Sequence, residues 1–122
     1  MAECKLCIHH CDIKEGMRGR CLARVCRDGK IVPENYGCIT SIALDPIEKK
    51  PLAHFHPGSR ILSVGSYGCN LSCPFCQNHE ISHPADLSYL KRMSRTIMPQ
   101  ELTQLALQCV PEGNIGVAFT YN

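Results

Sequence analysis

Ten of the 122 residues are cysteine. That density is typical of two kinds of chain, disulfide scaffolds and proteins that hold metal. The cysteines fall into two blocks: Cys4, Cys7 and Cys11 with Cys21 beyond them, then Cys69, Cys73 and Cys76. The two triplets mirror each other, Cys-x2-Cys-x3-Cys against Cys-x3-Cys-x2-Cys. Cysteines this close make poor structural disulfides, because closing a short loop removes little entropy from the unfolded chain. They are well spaced to point several thiolates at one small centre. The residues from Met1 to Cys7 lack the apolar stretch of a secretory signal. A reducing, cytoplasmic setting is therefore expected, where clustered thiols read as metal ligands. The competing reading is a secreted disulfide protein whose leader has been removed, and that protein would hold no free thiols.

Composition narrows the class. With 44% hydrophobic and 20% charged residues, the chain suits one folded domain or two small modules and not a disordered tail. No apolar run approaches the roughly 20 residues of a membrane span. Thirteen Lys and Arg against eleven Asp and Glu leave a net charge of +2, too mild to argue for nucleic acid or an acidic membrane as partner.

Two regions are expected, 1–58 and 59–122. The first, a Cys-rich and irregular module, is broken by turn signals, with a hairpin tip at Asp28-Gly29 between Arg27 and Val32. Ile39 to Leu44 reads as a short strand that Asp45-Pro46 interrupts. The second region opens with a buried strand, Arg60 to Gly65, which runs into a glycine-marked loop and the second cysteine block. Residues 79–95 are polar. Pro99 suits the first position of a helix. Leu102, Leu105, Ala106 and Cys109 give that helix one apolar face, and Pro111-Glu112-Gly113 stops it. Ile115 to Tyr121 is a second apolar strand. Strand, loop, helix and strand make a βαβ unit, an α/β fold with a parallel pair. Two parallel strands under one helix do not cover both sheet faces, so the expectation is a truncated piece of a longer α/β protein. The alternative is a small complete fold stapled by metal.

In parallel α/β folds the C-terminal edge of the strands is where sites are built. Cys69, Cys73 and Cys76 follow that edge. Three thiolates on one loop suit a soft metal or an iron–sulfur cluster, and on a four-iron cube they leave one iron open. The octet Cys69-Asn70-Leu71-Ser72-Cys73-Pro74-Phe75-Cys76 resembles the Cys-x3-Cys-x-aromatic-Cys motif of the radical S-adenosylmethionine (radical SAM) superfamily. The blocks Asp45 to Leu52, His54-Phe55, Pro57-Gly58-Ser59, Gly68-Cys69-Asn70 and Cys76-Gln77-Asn78 look like the AmmeMemoRadiSam-system radical SAM enzymes, often labelled pyruvate formate-lyase-activating enzyme-like.

The resemblance implies an N-terminal module followed by the first βαβ unit of a partial (β/α) barrel. It implies that Cys69, Cys73 and Cys76 ligate a 4Fe–4S cluster whose remaining iron takes S-adenosylmethionine. The reaction would be reductive cleavage to a 5′-deoxyadenosyl radical that abstracts hydrogen from a protein or small-molecule substrate. An electron donor such as flavodoxin or ferredoxin is implied as partner. Phe75 takes the aromatic position near the adenine, or packs under the loop. Thr120-Tyr121-Asn122 is similar to the start of a Thr-Tyr-Asn-Glu-Pro block, which places Asn122 at the cofactor-binding edge. The sequence stops before the Glu, so the 122 residues alone are expected to turn over poorly.

Cys4, Cys7, Cys11 and Cys21 supply four thiolates, the number a closed zinc site or a second iron–sulfur cluster requires. A structural staple is the expected role. His9 and His10 read as solvent-facing loop residues, and Lys49 and Lys50 as a solvated turn. His79 and His83 would share a helical face only until Pro84. Cys26, Cys38 and Cys109 stand outside both blocks, Cys109 as a core residue. The function expected is a radical enzyme; the alternative, from another class, is a non-catalytic binding module stapled by zinc.

Overall fold

A computed structural model describes residues 1–121; Asn122, expected at the cofactor edge, lies outside the described residues. The N-terminal part is built of short antiparallel pairs. β1 (Ala2–Glu3) pairs with β2 (Asp12–Ile13), and β3 (Arg24–Arg27) pairs with β4 (Lys30–Pro33). Asp28 and Gly29 close the second hairpin with φ of 51° and 69°, the two left-handed residues of a type I′ turn. Cys4, Ile13 and Cys26 form a small core there, with Ala2, Cys11 and Ile31 packed on it. The expected irregular module is thus a pair of hairpins sharing a core of their own.

β5 (Cys38–Ile39), β6 (Ser41–Pro46) and β7 (Arg60–Gly65) follow. Then come α1 (His79–Ser82), α2 (Leu87–Met93), β8 (Arg95–Thr96), α3 (Pro99–Gln108) and β9 (Asn114–Tyr121). The main sheet runs β6-β7-β9. β7 and β9 are parallel, and β6 is antiparallel to β7. The expected break at Asp45-Pro46 is therefore corrected: both residues stay in register, opposite Ile61 and Arg60. β6 is an edge strand and Pro46 its last residue, so the missing N–H costs no ladder bond. The polar stretch 79–95 holds two short helices; Asp86 caps α2 by accepting from the Tyr89 N–H at 2.9 Å.

α3 covers one face of this sheet. Leu62, Val64, Ile39, Ile97 and Leu102 are its buried core, with Ile42, Leu44, Leu105, Ala106, Cys109 and Val117 packed against them. Pro99 sits at the start of α3, where its missing N–H is harmless. Buried Asn114 ties the layers: its Oδ1 accepts from the Leu62 N–H at 2.8 Å, and its Nδ2 donates to the Ala106 carbonyl at 2.8 Å.

The opposite face carries small and polar side chains, and a bulge changes what β9 presents to it. Val64 pairs with Phe119, yet Gly65 pairs with Tyr121. The extra residue, Thr120, shifts the alternation, so Tyr121 leaves the α3 face and joins Ser41, Ala43, Asp45 and Ser63. Gly65 makes room for it. A Cβ at Gly65 would collide with Ser41 Oγ and would lie 2.7 Å from both the Cβ and the carbonyl oxygen of Tyr121.

Candidate functional site

The loop leaving β7 begins with Ser66, Tyr67 and Gly68. Gly68 has φ +88° and packs so closely on the Cys21 carbonyl and Ala23 that a Cβ would collide there. Its N–H donates to the Ile81 carbonyl at 2.9 Å. The cysteine loop is thus pressed against the N-terminal module on one side and α1 on the other.

Two histidines hold its backbone. His9 Nε2 lies 2.8 Å from the Asn70 carbonyl oxygen, and His83 Nε2 lies 2.6 Å from that of Leu71. The expectation of a solvent-facing His9 is corrected: it joins the first cysteine block to the second. His83 and His79 do not combine as a pair, since His79 Nδ1 turns to the Cys76 carbonyl at 3.2 Å.

The thiols themselves are little engaged. The Leu71 N–H approaches Cys69 Sγ at 3.5 Å, and Cys76 Sγ lies 3.5 Å from Ser82 Oγ. Cys73 is exposed, Cys69 and Cys76 are half-buried, and all ten cysteines are free. Phe75 is 85% exposed, so it packs under nothing among the described residues. No three His, Cys, Asp or Glu side chains among the described residues are gathered closely enough to share a metal ion. The donor chemistry nevertheless fits a soft centre: three uncommitted thiols lie within eight residues of one accessible loop, with a backbone N–H already directed at one sulfur.

The first block is distributed differently. Cys4 and Cys11 share the small core with Cys26, and the Cys4 N–H donates to the Cys11 carbonyl at 2.9 Å. Cys7 is half-buried, and Cys21 lies by Gly68. Cys26 Sγ reaches Glu15 Oε2 at 3.4 Å. As they stand, Cys4, Cys7, Cys11 and Cys21 are not gathered into one ligand set.

Beside the Cys69 loop, on the face that Tyr121 joins, stands a charged network. Buried Asp45 accepts from Lys49 Nζ at Oδ1 (2.9 Å), and at Oδ2 from Lys50 Nζ (2.9 Å) and the Tyr121 hydroxyl (2.7 Å). Lys50 also donates to Tyr121 Oη at 2.8 Å and to Thr120 Oγ1 at 3.3 Å. Burial pushes the Asp45 carboxyl up, but the hydrogen bonds from Tyr121, Lys49, Lys50 and Ser63 outweigh it and hold the group well below the usual carboxylate range. Burial likewise lowers Lys50, and the bonds to Tyr121 and Asp45 reverse that, keeping it protonated. The expected solvated turn at Lys49-Lys50 is corrected for Lys50, whose side chain is 11% exposed. The i, i+4 spacing of Asp45 and Lys49 was a local signal for half of this network; the Tyr121 half depends on the bulge.

A second carboxylate links the two parts of the chain. Glu34, on the N-terminal side, pairs with Arg18, with Arg27 at 3.2 Å and with Lys91 of α2 at 3.2 Å. Tyr67 lies nearby, fully buried, with its hydroxyl unpartnered among the described residues.

No helix among the described residues is long and apolar enough to cross a membrane. In comparisons with known proteins, no family model matches the sequence. No solved structure matches it either. An uncharacterized protein of Methanocaldococcus jannaschii is 39% identical over 122 residues. That alignment covers 97% of this chain and 34% of the relative, so the chain spans about a third of the length of the relative it matches.

Proposed function

We propose that this chain is the cluster-binding N-terminal portion of a radical SAM enzyme of the activating-enzyme-like kind, working in the cytoplasm. One observation carries the reading. Three free cysteines, Cys69, Cys73 and Cys76, occupy a single accessible loop at the C-terminal end of a strand in a parallel pair. Cys69, Cys73 and Cys76 would hold the 4Fe–4S cluster. When bound, that cluster supplies one-electron reduction of S-adenosylmethionine, and so a carbon-centred radical for hydrogen abstraction.

The chain's own residues position and protect. His9 and His83 fix the loop carbonyls, leaving the sulfurs free. The Leu71 N–H and Ser82 hydroxyl sit where they would tune sulfur basicity. Phe75, exposed on the loop, offers a flat apolar surface to an adenine ring. The Asp45–Lys50–Tyr121 network anchors the end of β9 beside the loop. Cys4, Cys7, Cys11 and Cys21 are assigned a structural zinc or a second cluster, and an electron donor such as flavodoxin or ferredoxin is the partner this chemistry needs.

Anaerobic reconstitution with iron and sulfide tests the reading. The expected product is brown, holds four irons at the loop, and shows an electron paramagnetic resonance signal that S-adenosylmethionine perturbs. Replacing Cys69, Cys73 or Cys76 with Ser should abolish that signal. A colourless, zinc-loaded protein that assembles no cluster would overturn the assignment in favour of a metal-stapled binding module.

A further inference from the structure

The loop end of the first hairpin sets two thiols against each other. β1 and β2 pair Ala2 with Ile13 and Glu3 with Asp12. One step further the same register puts Cys4 opposite Cys11, and the Cys4 N–H donates to the Cys11 carbonyl at 2.9 Å. Side chains alternate along a strand, so directly opposed residues share a face. Glu3 and Asp12 are exposed, whereas Ala2, Cys4, Cys11 and Ile13 all belong to the small core. Cys4 and Cys11 are therefore neighbours on the buried face of one hairpin, and both are free. Opposed residues of an antiparallel pair have Cα atoms about 4.5–5.5 Å apart, inside the range a disulfide spans. Their Cβ atoms stand about 4.5–5.5 Å apart, against about 3.8 Å in a relaxed disulfide. Bridging the pair thus draws the strands together and strains the bond. The loop it closes is short, so the bridge removes little entropy from the unfolded chain. A strained bond with so little stabilisation is easily reduced, which suits a reversible link and not a staple.

We propose that Cys4 and Cys11 are a redox pair, joined by a disulfide when a low-molecular-weight disulfide reaches the metal-free module. Cys11 is half-buried and Cys4 buried, so Cys11 reacts first. Its thiolate attacks one sulfur of the external disulfide and expels a thiolate. The Cys4 thiolate then attacks the Cys11 sulfur of the mixed disulfide and expels the second. The two cysteines lose two electrons and two protons, and the external disulfide becomes two thiols. The bridge withdraws two thiolates from the first cysteine block, and Cys7 with Cys21 are too few to close a metal site. Disulfide and metal thereby exclude one another. That exclusion rests on the metal proposed above for this block; the bridge itself does not.

The test is oxidation of the reduced, chelator-treated full chain by oxidised glutathione, then alkylation of the remaining thiols and peptide mapping by mass spectrometry. The expected product carries a Cys4–Cys11 bridge that a phosphine reductant removes. Cys26→Ser should keep the bridge, and Cys11→Ser should leave Cys4 reduced or carrying glutathione. Glutathione on Cys4 and Cys11 separately, or a bridge from either to Cys7, Cys21 or Cys26, overturns the pair. Zinc uptake is then compared between bridged and reduced chains carrying Cys69→Ser, Cys73→Ser and Cys76→Ser, which removes the thiols of the second block. Uptake should be lost in the bridged chain and return on reduction; equal uptake overturns the exclusion. Failure of the iron reconstitution would leave the mapped bridge standing, so the two readings fail separately.

Discussion

The Tyr121 hydroxyl donates to Oδ2 of Asp45 at 2.7 Å, joining residues 76 positions apart on the first and last strands of the main sheet. The contact exists because one extra residue in β9 turns Tyr121 to the Asp45 side. It fixes the end of the parallel pair at the edge where the cysteine loop departs.

Asp45→Ala should destabilise the fold by about 3–5 kcal/mol, since it leaves the largely buried Lys50 ammonium without its carboxylate. Tyr121→Phe removes two charge-assisted bonds, one to Asp45 and one from Lys50, and should cost at least about 1.5–3 kcal/mol. The pH dependence has a definite sign. The Asp45 carboxyl is depressed in the folded state, so its contribution is present above the unfolded value of about 3.9 and is lost as pH falls below it. Urea denaturation from pH 7 to pH 2 should show a flatter acid limb for Asp45→Asn than for the parent.

Gly65→Ala should cost about 1–3 kcal/mol, the range for overpacking a well-filled site. The new methyl would meet Ser41 Oγ, the Tyr121 side chain and the Tyr121 carbonyl. A double mutant with Tyr121→Gly should recover part of the loss, which thermal unfolding can measure. Equal loss in both backgrounds would place the clash at Ser41 Oγ and the Tyr121 carbonyl rather than at the Tyr121 side chain.

Tyr67→Phe should stabilise the protein by about 1 kcal/mol or more, because it removes a buried hydroxyl that has no partner among the described residues. Burial, aided by the nearby negative charges of Glu34 and Cys38, pushes the Tyr67 phenol up to about 12. With the phenol raised, stability does not change with this group below the unfolded value of about 10 and falls as pH rises from there towards 12. Ultraviolet titration should show a late phenolate phase that disappears in Tyr67→Phe.

His9→Ala and His83→Ala should each loosen the Cys69–Cys73 segment while leaving the rest of the fold intact. Labelling of Cys69 and Cys73 by a thiol reagent should speed up severalfold, and the double mutant should be faster than either single. Unchanged rates would show that the two imidazoles do not restrain the loop.

Local signals in the sequence were legible where one element decides its own shape. Arg60–Gly65 was readable as a strand from its apolar run, α3 from Pro99 and its four-residue apolar face, and the hairpin from Asp28-Gly29. The role of β6 was not, because Asp45 and Pro46 are breakers by composition and only pairing with Ile61 and Arg60 holds them extended. The candidate site divides the same way. Cys69, Cys73 and Cys76 announce themselves by spacing. His9 at Asn70, Lys50 at Tyr121 and Asn114 at Leu62 are each made by tertiary packing across more than fifty residues. The bulge at Thr120 has no mark in the sequence, and without it Tyr121 would face α3.

The loop between Cys69 and Cys73 is clasped through its main-chain oxygens, by His9 and His83, and not through its sulfurs. Under the proposed function, anchorage and ligation would fall to different atoms. Were the cluster proposed above bound there, the peptide would keep its course while the sulfurs exchanged one inorganic occupant for another, so loading, loss and repair of that centre would not have to begin with unfolding.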